Sequence, residues 1–447
     1  MSYNIAMVSL GCSKNLIDSE IMLGILKKHQ FNLTEEMDEA DIIVINTCGF
    51  IDAAKEESIN TIVELGQYKE HGKCKVLIVC GCLGERYKQE LLDELPEVDA
   101  IIGTGNIKEI PEIINETLKG NRLIRTGKVD IEYDDDLTRL PLSKSATAYI
   151  KIAEGCDNYC TYCIIPKLRG KYRSRKIESI IDEASRLADQ GVKELILIAQ
   201  DTSRYGIDLY DKFMLPKLLD ELNKIEKLKW IRILYLYPDA FDQNLIDSIK
   251  RNNKVVKYVD MPIQHINNTV LKRMNRNTSK EMIKELILKI RKEIPNIIIR
   301  TTVIVGFPGE TDDQFNELYD FAKEIKFDRL GAFTYSKEEG TAAAKLEDQI
   351  DEEIKSNRQS KIMELQRTIS YEKNKDKIGS DFEVIIEEKI ENEKVYIGRT
   401  YMDSPEIDGI VYIDSDKNLE IGSFQKVLIK DCLEYDLMGE IENESSK

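Results

Sequence analysis

A short apolar run, residues 149–153, leads into Cys156, Cys160 and Cys163 at the spacing CxxxCxxC. Four thiolates close a tetrahedral metal site or saturate a cubane cluster. Three thiolates, here within eight residues, can hold three irons of a [4Fe–4S] cluster and leave the fourth open to a substrate or cofactor. The alternative is a zinc site that borrows a distant fourth ligand, although structural zinc sites mostly use paired CxxC or CxxC/HxxxH spacing. A strand that ends in such a loop constrains the fold, because parallel α/β architectures keep their sites at the carboxyl ends of their strands.

The same logic recurs upstream without a local motif. Apolar runs at 5–10, 42–45 and 76–79 alternate with helical patterns, which predicts a parallel sheet with helices on its faces. A cysteine follows each run closely: Cys12, Cys48 and Cys82, spaced 36 and 34 residues apart. Residues just past the carboxyl ends of parallel strands share one sheet edge. Three cysteines distant in sequence are therefore expected to converge as a second three-thiol site. Cys74 and Cys80 read instead as buried strand cysteines, and Cys80 should face away from Cys82 because the two alternate along an extended segment.

The 447 residues suggest about three domains. No stretch reaches the ~18 continuous apolar residues of a membrane span. The start Met-Ser-Tyr-Asn-Ile-Ala lacks a basic region and an apolar core, so the expectation is a cytoplasmic protein with reduced thiols. The three histidines, His29, His71 and His265, are far apart, which leaves little room for a multi-histidine metal centre or for hydrolase chemistry.

The fold expected is α/β in three parts. Residues 1–120 form a parallel α/β domain, followed by a polar linker at 121–141 that carries Asp134, Asp135 and Asp136. Residues 142–372 show strands near 149–153, 194–199, 230–236, 255–261, 297–305 and 329–334, which is a partial (β/α)6 barrel. Residues 374–440 alternate as a small antiparallel β-barrel. That last part has 8 Lys/Arg against 17 Asp/Glu, a net of −9 within a chain of −17. A barrel that grips RNA should be basic, so this one suits a basic protein partner.

CxxxCx(aromatic)C after a strand, with Tyr162 as the aromatic, resembles the signature of radical S-adenosylmethionine (SAM) enzymes. The whole chain is similar to the methylthiotransferase family, through Leu10-Gly11-Cys12-Ser13-Lys14-Asn15, Asn46-Thr47-Cys48-Gly49-Phe50, Gly81-Cys82-Leu83, the Cys156–Cys163 loop and Arg169-Gly170-Lys171-Tyr172-Arg173-Ser174-Arg175. The resemblance implies an auxiliary [4Fe–4S] cluster on Cys12, Cys48 and Cys82. It implies a second [4Fe–4S] cluster on Cys156, Cys160 and Cys163 that binds SAM, and a C-terminal TRAM barrel. Asn15 to Glu20, the run after Cys48 and Ser404 to Gly409 resemble the branch that modifies an aspartate of small-subunit ribosomal protein S-twelve. One SAM would supply a methyl group and a second a radical that opens the aspartate β-carbon. A sulfur donor and an electron donor are implied and neither is identified. A monomer without tRNA or membrane partners is expected; a tRNA methylthiotransferase and a non-catalytic iron–sulfur or zinc RNA-binding protein are the alternatives.

The SAM contacts expected are Tyr162, Gly306 at the end of the fifth core strand, and Arg300 on that strand. Among six cations in the run 167–176, Arg173 or Arg175 is expected to face SAM or substrate. Gln200 and Asp201 are similarly placed, and His265 reads as structural. No side chain is assigned a catalytic role.

Overall fold

The computed structural model describes residues 3–127, 129–130, 139–142 and 145–441. The acidic run at 134–136 lies outside the described residues.

The N-terminal sheet contains β1 (Asn4–Ser9), β2 (Asn32–Leu33), β3 (Ile42–Thr47), β4 (Val76–Gly81), β5 (Ala100–Ile102) and β6 (Leu123–Arg125). All pairs are parallel, in the order β2-β1-β3-β4-β5-β6. Strands β3 and β4 are buried along their whole length, as expected where helices cover both faces. Strand β6 lies in the stretch expected to be linker. Its three residues are too few to give a readable alternation, but pairing with β5 takes up the backbone groups on that side. The helix Ser13–Lys28 is buried on almost every side, including Asn15, Asp18, Ser19 and Glu20. It is sandwiched between its own sheet and the next domain.

The central domain runs through β7 (Thr147–Lys151), β8 (Ala153–Glu154), β9 (Arg173–Ser174), β10 (Glu194–Ile198), β11 (Trp230–Ile233), β12 (Tyr258–Asp260), β13 (Ile298–Val305) and β14 (Arg329–Thr334). Strands β7, β10 and β11 form one parallel sheet and β12, β13 and β14 another. A parallel bridge from Ile231 to Val255 connects them. Six parallel strands in chain order therefore make the partial barrel. The small antiparallel pair β8–β9 closes the base of the cysteine loop.

The helix Glu352–Lys375 leads to β15 (Asp381–Lys389), β16 (Val395–Thr400), β17 (Val411–Asp414), β18 (Phe424–Cys432) and β19 (Leu437–Ile441). These close into a barrel of order β15-β16-β17-β19-β18. Its pairs are antiparallel except β17–β19, which is parallel. The exception is topological: around a closed ring of five strands, alternation of direction must fail once.

The three parts share apolar core. Ile196, Ile198, Trp230 and Tyr258 of the central strands belong to one continuous cluster with Ile17 and Ile21 of the first helix and with Val384 and Val427 of the C-terminal barrel. That barrel docks at the amino-terminal ends of the central strands, through Glu194, Arg232, Tyr258 and Arg329. The cysteine loop leaves from the opposite, carboxyl end.

Candidate active site

The first three cysteines meet where the sequence pattern places them. Cys12 precedes the helix Ser13–Lys28, Cys48 follows β3, and Cys82 opens the helix Cys82–Glu94. Asn15 ties the edge together. Its side-chain N–H groups donate to Leu10 O at 3.1 Å and to Thr47 O at 2.9 Å. Its Oδ1 lies 4.0 Å from Cys82 Sγ. Gly11 adopts φ +85°, and a Cβ there would meet Cys48 Cβ at 2.6 Å, so glycine is what lets the first and second cysteine segments approach. The three thiols sense one another: Cys12 and Cys48 both raise Cys82. Cys80 lies instead in the core on the far side of the turn at Gly81.

Burial pushes the Cys82 thiol up to about 12 against the pull of Arg169, and burial also raises Cys48. Cys12 is the solvent-facing member. The protein packed around it pushes its thiol up. The cations Lys14 and Arg169, with the N–H groups of Asn15 and Lys14, outweigh that and leave it below its ordinary value.

Cys156, Cys160 and Cys163 form the second set. The loop is pinned by Cys156 N donating to Gly170 O at 3.1 Å, Thr161 N to Met274 O at 3.0 Å and Ala343 N to Thr161 O at 2.8 Å. Burial raises Cys156 to about 12 and raises Cys163 further. Thiols held this way must lose protons when metal binds.

Among the described residues, no three His, Cys, Asp or Glu side chains stand close enough to share one metal ion. A tetrahedral zinc draws its ligands to within about 2.0–2.3 Å of one point. A cubane cluster spreads its cysteines over separate irons. Two sets of three neighbouring thiols fit clusters with an open iron better than they fit zinc.

The two sets share a wall. Cys82 packs with Ile164 and Leu168, which follow Cys163, and with Phe50, which follows Cys48. Beside this apolar contact lies a buried ionic network between the domains. Arg169 donates to Asn15 Oδ1 at 2.6 Å and pairs with Asp18 and Glu154, each at 3.0 Å. Lys151 pairs with Asp18 at 2.5 Å and Glu154 at 2.6 Å. Burial raises the Glu154 carboxyl, but Arg169 and Lys151 outweigh it and hold it well below the carboxylate range. Lys14 Nζ sits 3.1 Å from the Tyr235 ring centroid. A second clasp joins Glu338, after β14, to Lys55 at 3.1 Å and Arg86 at 2.8 Å.

The other expected residues are distributed differently. Tyr162 packs its ring against the apolar group of Met274, Phe307 and Tyr335 beneath the loop, and burial raises its phenol. Gly306 stands at the site end of β13, but its N–H donates to Glu310 at 2.9 Å and its α-carbon abuts Lys355, where a Cβ would meet Cγ at 2.3 Å. Packing accounts for that glycine. Arg300 pairs with Asp260 at 2.8 Å and reaches Asp408 of the C-terminal barrel at 3.4 Å, so it faces the docked barrel.

The arginines of the run 167–176 take separate protein partners. Arg175 pairs with Glu183 at 2.6 Å, and Arg173 donates to Lys171 O at 2.6 Å. Arg169, not singled out from sequence, is the one that reaches the cysteines; its position at the end of the helix Ile165–Arg169, right after the cysteine loop, was the available signal. Gln200 donates to Glu154 at 2.9 Å, and Asp201 accepts from Asn158 of the loop at 2.9 Å. His265 is fully buried and accepts from Asn267 N at 3.0 Å, while its Nε2 lies 3.6 Å from Glu310.

Residues 4–103 match the family described as uncharacterized protein family UPF0004, residues 150–322 the radical SAM superfamily and residues 378–441 the TRAM domain. Among solved structures, the radical SAM methyltransferase TsrM from Kitasatospora setae, with cobalamin and a [4Fe–4S] cluster bound, aligns with TM-score 0.55 at 14% identity over 75% of each chain. The apo form of the cobalamin-dependent SAM radical enzyme OxsB aligns with TM-score 0.54 at 12% identity, over 82% of this chain and 57% of that one. At such identities the likeness is one of fold. Fold and matched domains define a radical SAM enzyme. Closer in sequence are the ribosomal protein uS12 methylthiotransferases RimO of Thermoanaerobacter sp. (strain X514), 53% identical over 98% of this chain and 99% of that one, and of Clostridioides difficile (strain 630), 54% identical over 98% of both. The chain belongs to the RimO family of ribosomal protein uS12 methylthiotransferases.

Proposed function

We propose that this enzyme methylthiolates the β-carbon of an aspartate in ribosomal protein uS12, with SAM and two [4Fe–4S] clusters. One cluster is held by Cys12, Cys48 and Cys82 and the other by Cys156, Cys160 and Cys163. The observation that carries the reading is the shared wall of Cys82, Ile164, Leu168 and Phe50. It sets a site suited to holding sulfur beside a site suited to starting radical chemistry. When bound, a cluster with an open iron would supply the electron that turns one SAM into a radical able to attack an unactivated C–H bond, and a second SAM would supply the methyl group.

The chain's own residues orient and seal this arrangement. Ile164, Leu168 and Phe50 form the apolar contact between the sites. Arg169, Lys151, Asp18 and Glu154 fix the N-terminal domain on the barrel, so the distance between the thiol sets is held by buried charge-assisted bonds. Lys14 and Arg169 leave positive charge beside Cys12, which favours an anionic sulfur there. Among the described residues no helix is long and apolar enough to cross a membrane. The net charge of −9 in the C-terminal barrel supports a basic protein as partner in preference to RNA.

The test is mass spectrometry of uS12 and of bulk tRNA from a strain lacking this chain and from the same strain complemented. The methylthio mass should disappear from uS12 and return on complementation. Loss from tRNA with uS12 unchanged would overturn the proposal in favour of a tRNA methylthiotransferase.

A further inference from the structure

The three cysteines of the CxxxCxxC loop are not equivalent. Cys156 and Cys163 take their local hydrogen bonds from backbone N–H groups, of Asn158 and Ile165. Cys160 faces side chains. Tyr237 Oη lies 3.1 Å from its Sγ, and the Tyr162 phenol borders it too. Arg276, 5% exposed, stacks its guanidinium 3.9 Å from the Tyr237 ring centroid and donates to Pro262 O at 2.7 Å.

Tyr237 is held in this place from behind. It follows β11 at the carboxyl-end face, and its N–H donates to Ser203 Oγ at 3.0 Å. Ser203 in turn donates to Asp201 at 2.5 Å, and Asp201 also accepts from Asn158 inside the cysteine loop. Loop and tyrosine thus hang from one buried carboxylate. Tyr237 is not among the expected SAM contacts, and the proposed chemistry does not use it.

We propose that Tyr237 donates its phenolic hydrogen to the Cys160 sulfur and, backed by Arg276, raises the reduction potential of the cluster at this loop. The inference rests on the reading that Cys156, Cys160 and Cys163 carry a [4Fe–4S] cluster. A cluster gains negative charge when reduced, and hydrogen bonds to its sulfurs are among the factors that set its potential. A donor at one thiolate stabilises the reduced form more than the oxidised form. The cation over the ring draws electron density from the phenol and strengthens it as a donor, while adding positive field of its own. Tyr237 is on this account a positioning and tuning residue for electron delivery.

The experiment isolates one cluster. A protein with Cys12, Cys48 and Cys82 all changed to Ala is reconstituted with iron and sulfide, and its potential is measured by dithionite titration followed by electron paramagnetic resonance. Tyr237→Phe in that background keeps the ring under Arg276 and removes only the hydroxyl. It should keep its iron and lower the reduction equilibrium constant about tenfold, which for one electron is about 59 mV more negative. Tyr159→Phe, in the same loop with its side chain 55% exposed, should leave the potential unchanged. Should Tyr237→Phe fail to hold iron, replacement of Tyr237 by 3-fluorotyrosine keeps the donor and makes it stronger, so the potential should rise. An unchanged potential in the Phe variant, or an unchanged or lowered one in the fluorotyrosine variant, overturns the proposal. If Ala at Cys156, Cys160 and Cys163, added to the same Cys12, Cys48 and Cys82 background, left the cluster signal in place, the underlying assignment would fail instead, whatever Tyr237 does.

Discussion

Glu194→Gln tests whether the C-terminal barrel is an independent module or part of the enzyme's core. Glu194 is fully buried at the start of β10, with Arg232 at 2.8 Å and Arg399 of the C-terminal barrel at 2.6 Å. Burial pushes its carboxyl up, but Arg399 and Arg232 outweigh that and pull it from 4.5 to about 2. At about 1.4 kcal/mol per pKa unit the ionised form contributes about 3 kcal/mol. A second route agrees: Gln leaves the fully buried Arg232 without its carboxylate, and stranding one partner of a buried pair costs about 3–5 kcal/mol. The chain's one tryptophan, Trp230, stacks edge-on against Phe424 of the C-terminal barrel at 4.7 Å, so its fluorescence reads this interface directly. With an m-value of about 2 kcal/mol/M, the urea midpoint at neutral pH should fall by about 1.5–2.5 M. The sign with pH is fixed, because a folded value below the unfolded one gives stability that is complete above about pH 4.5 and is lost as pH falls toward 2. The variant should therefore show a flatter acid profile than the parent. Adding Arg232→Met should recover part of the loss, since the stranded charge goes with its partner. A midpoint shift under about 0.3 M, or no recovery in the double variant, would refute the argument.

Changing Cys156, Cys160 and Cys163 to Ala should leave about four irons per chain and abolish reductive SAM cleavage, while changing Cys12, Cys48 and Cys82 should also leave about four yet spare cleavage; iron assay and 5′-deoxyadenosine release check both. Cys74→Ser and Cys80→Ser should keep the full iron content, because both thiols lie in the sheet core, away from the cysteine edge; lost iron in either would overturn the ligand assignment. Arg169→Met should strip iron from the Cys12 site faster than from the loop site and cost about 3–5 kcal/mol, since Asp18 and Glu154 would then share Lys151 alone. Iron retained per chain after desalting, with cluster absorbance in each cysteine background, measures it.

The docked barrel is more than a surface for a partner. Cutting the chain near Asn374 tests this. In the structure the cut removes Arg399 from Glu194, Asp403 from Arg329 and Asp408 from Tyr258. The truncated protein should be unstable before its partner binding can be measured. Glu387 is likewise committed to Arg399 at 2.7 Å, so partner contacts are better probed at the exposed Glu388, Glu391 and Glu393.

Local patterns in the chain were enough for the six central strands, the three-part order and the meeting of Cys12, Cys48 and Cys82. Each of these follows from short-range rules: period and length of apolar runs, and the fact that parallel strands end on one edge. The spacing CxxxCxxC is likewise complete within eight residues. What only the tertiary structure decided are the pairings of charges far apart in the chain. Arg169, Arg173 and Arg175 look alike in sequence, yet one reaches the cysteine edge, one closes its own loop and one pairs with the helix Ile177–Asp189. Tyr237 and Cys160 are 77 residues apart and meet because two strand ends of one barrel face each other. A long cationic or aromatic side chain has no periodicity of its own, and burial makes its partner a matter of a few ångströms that packing alone sets.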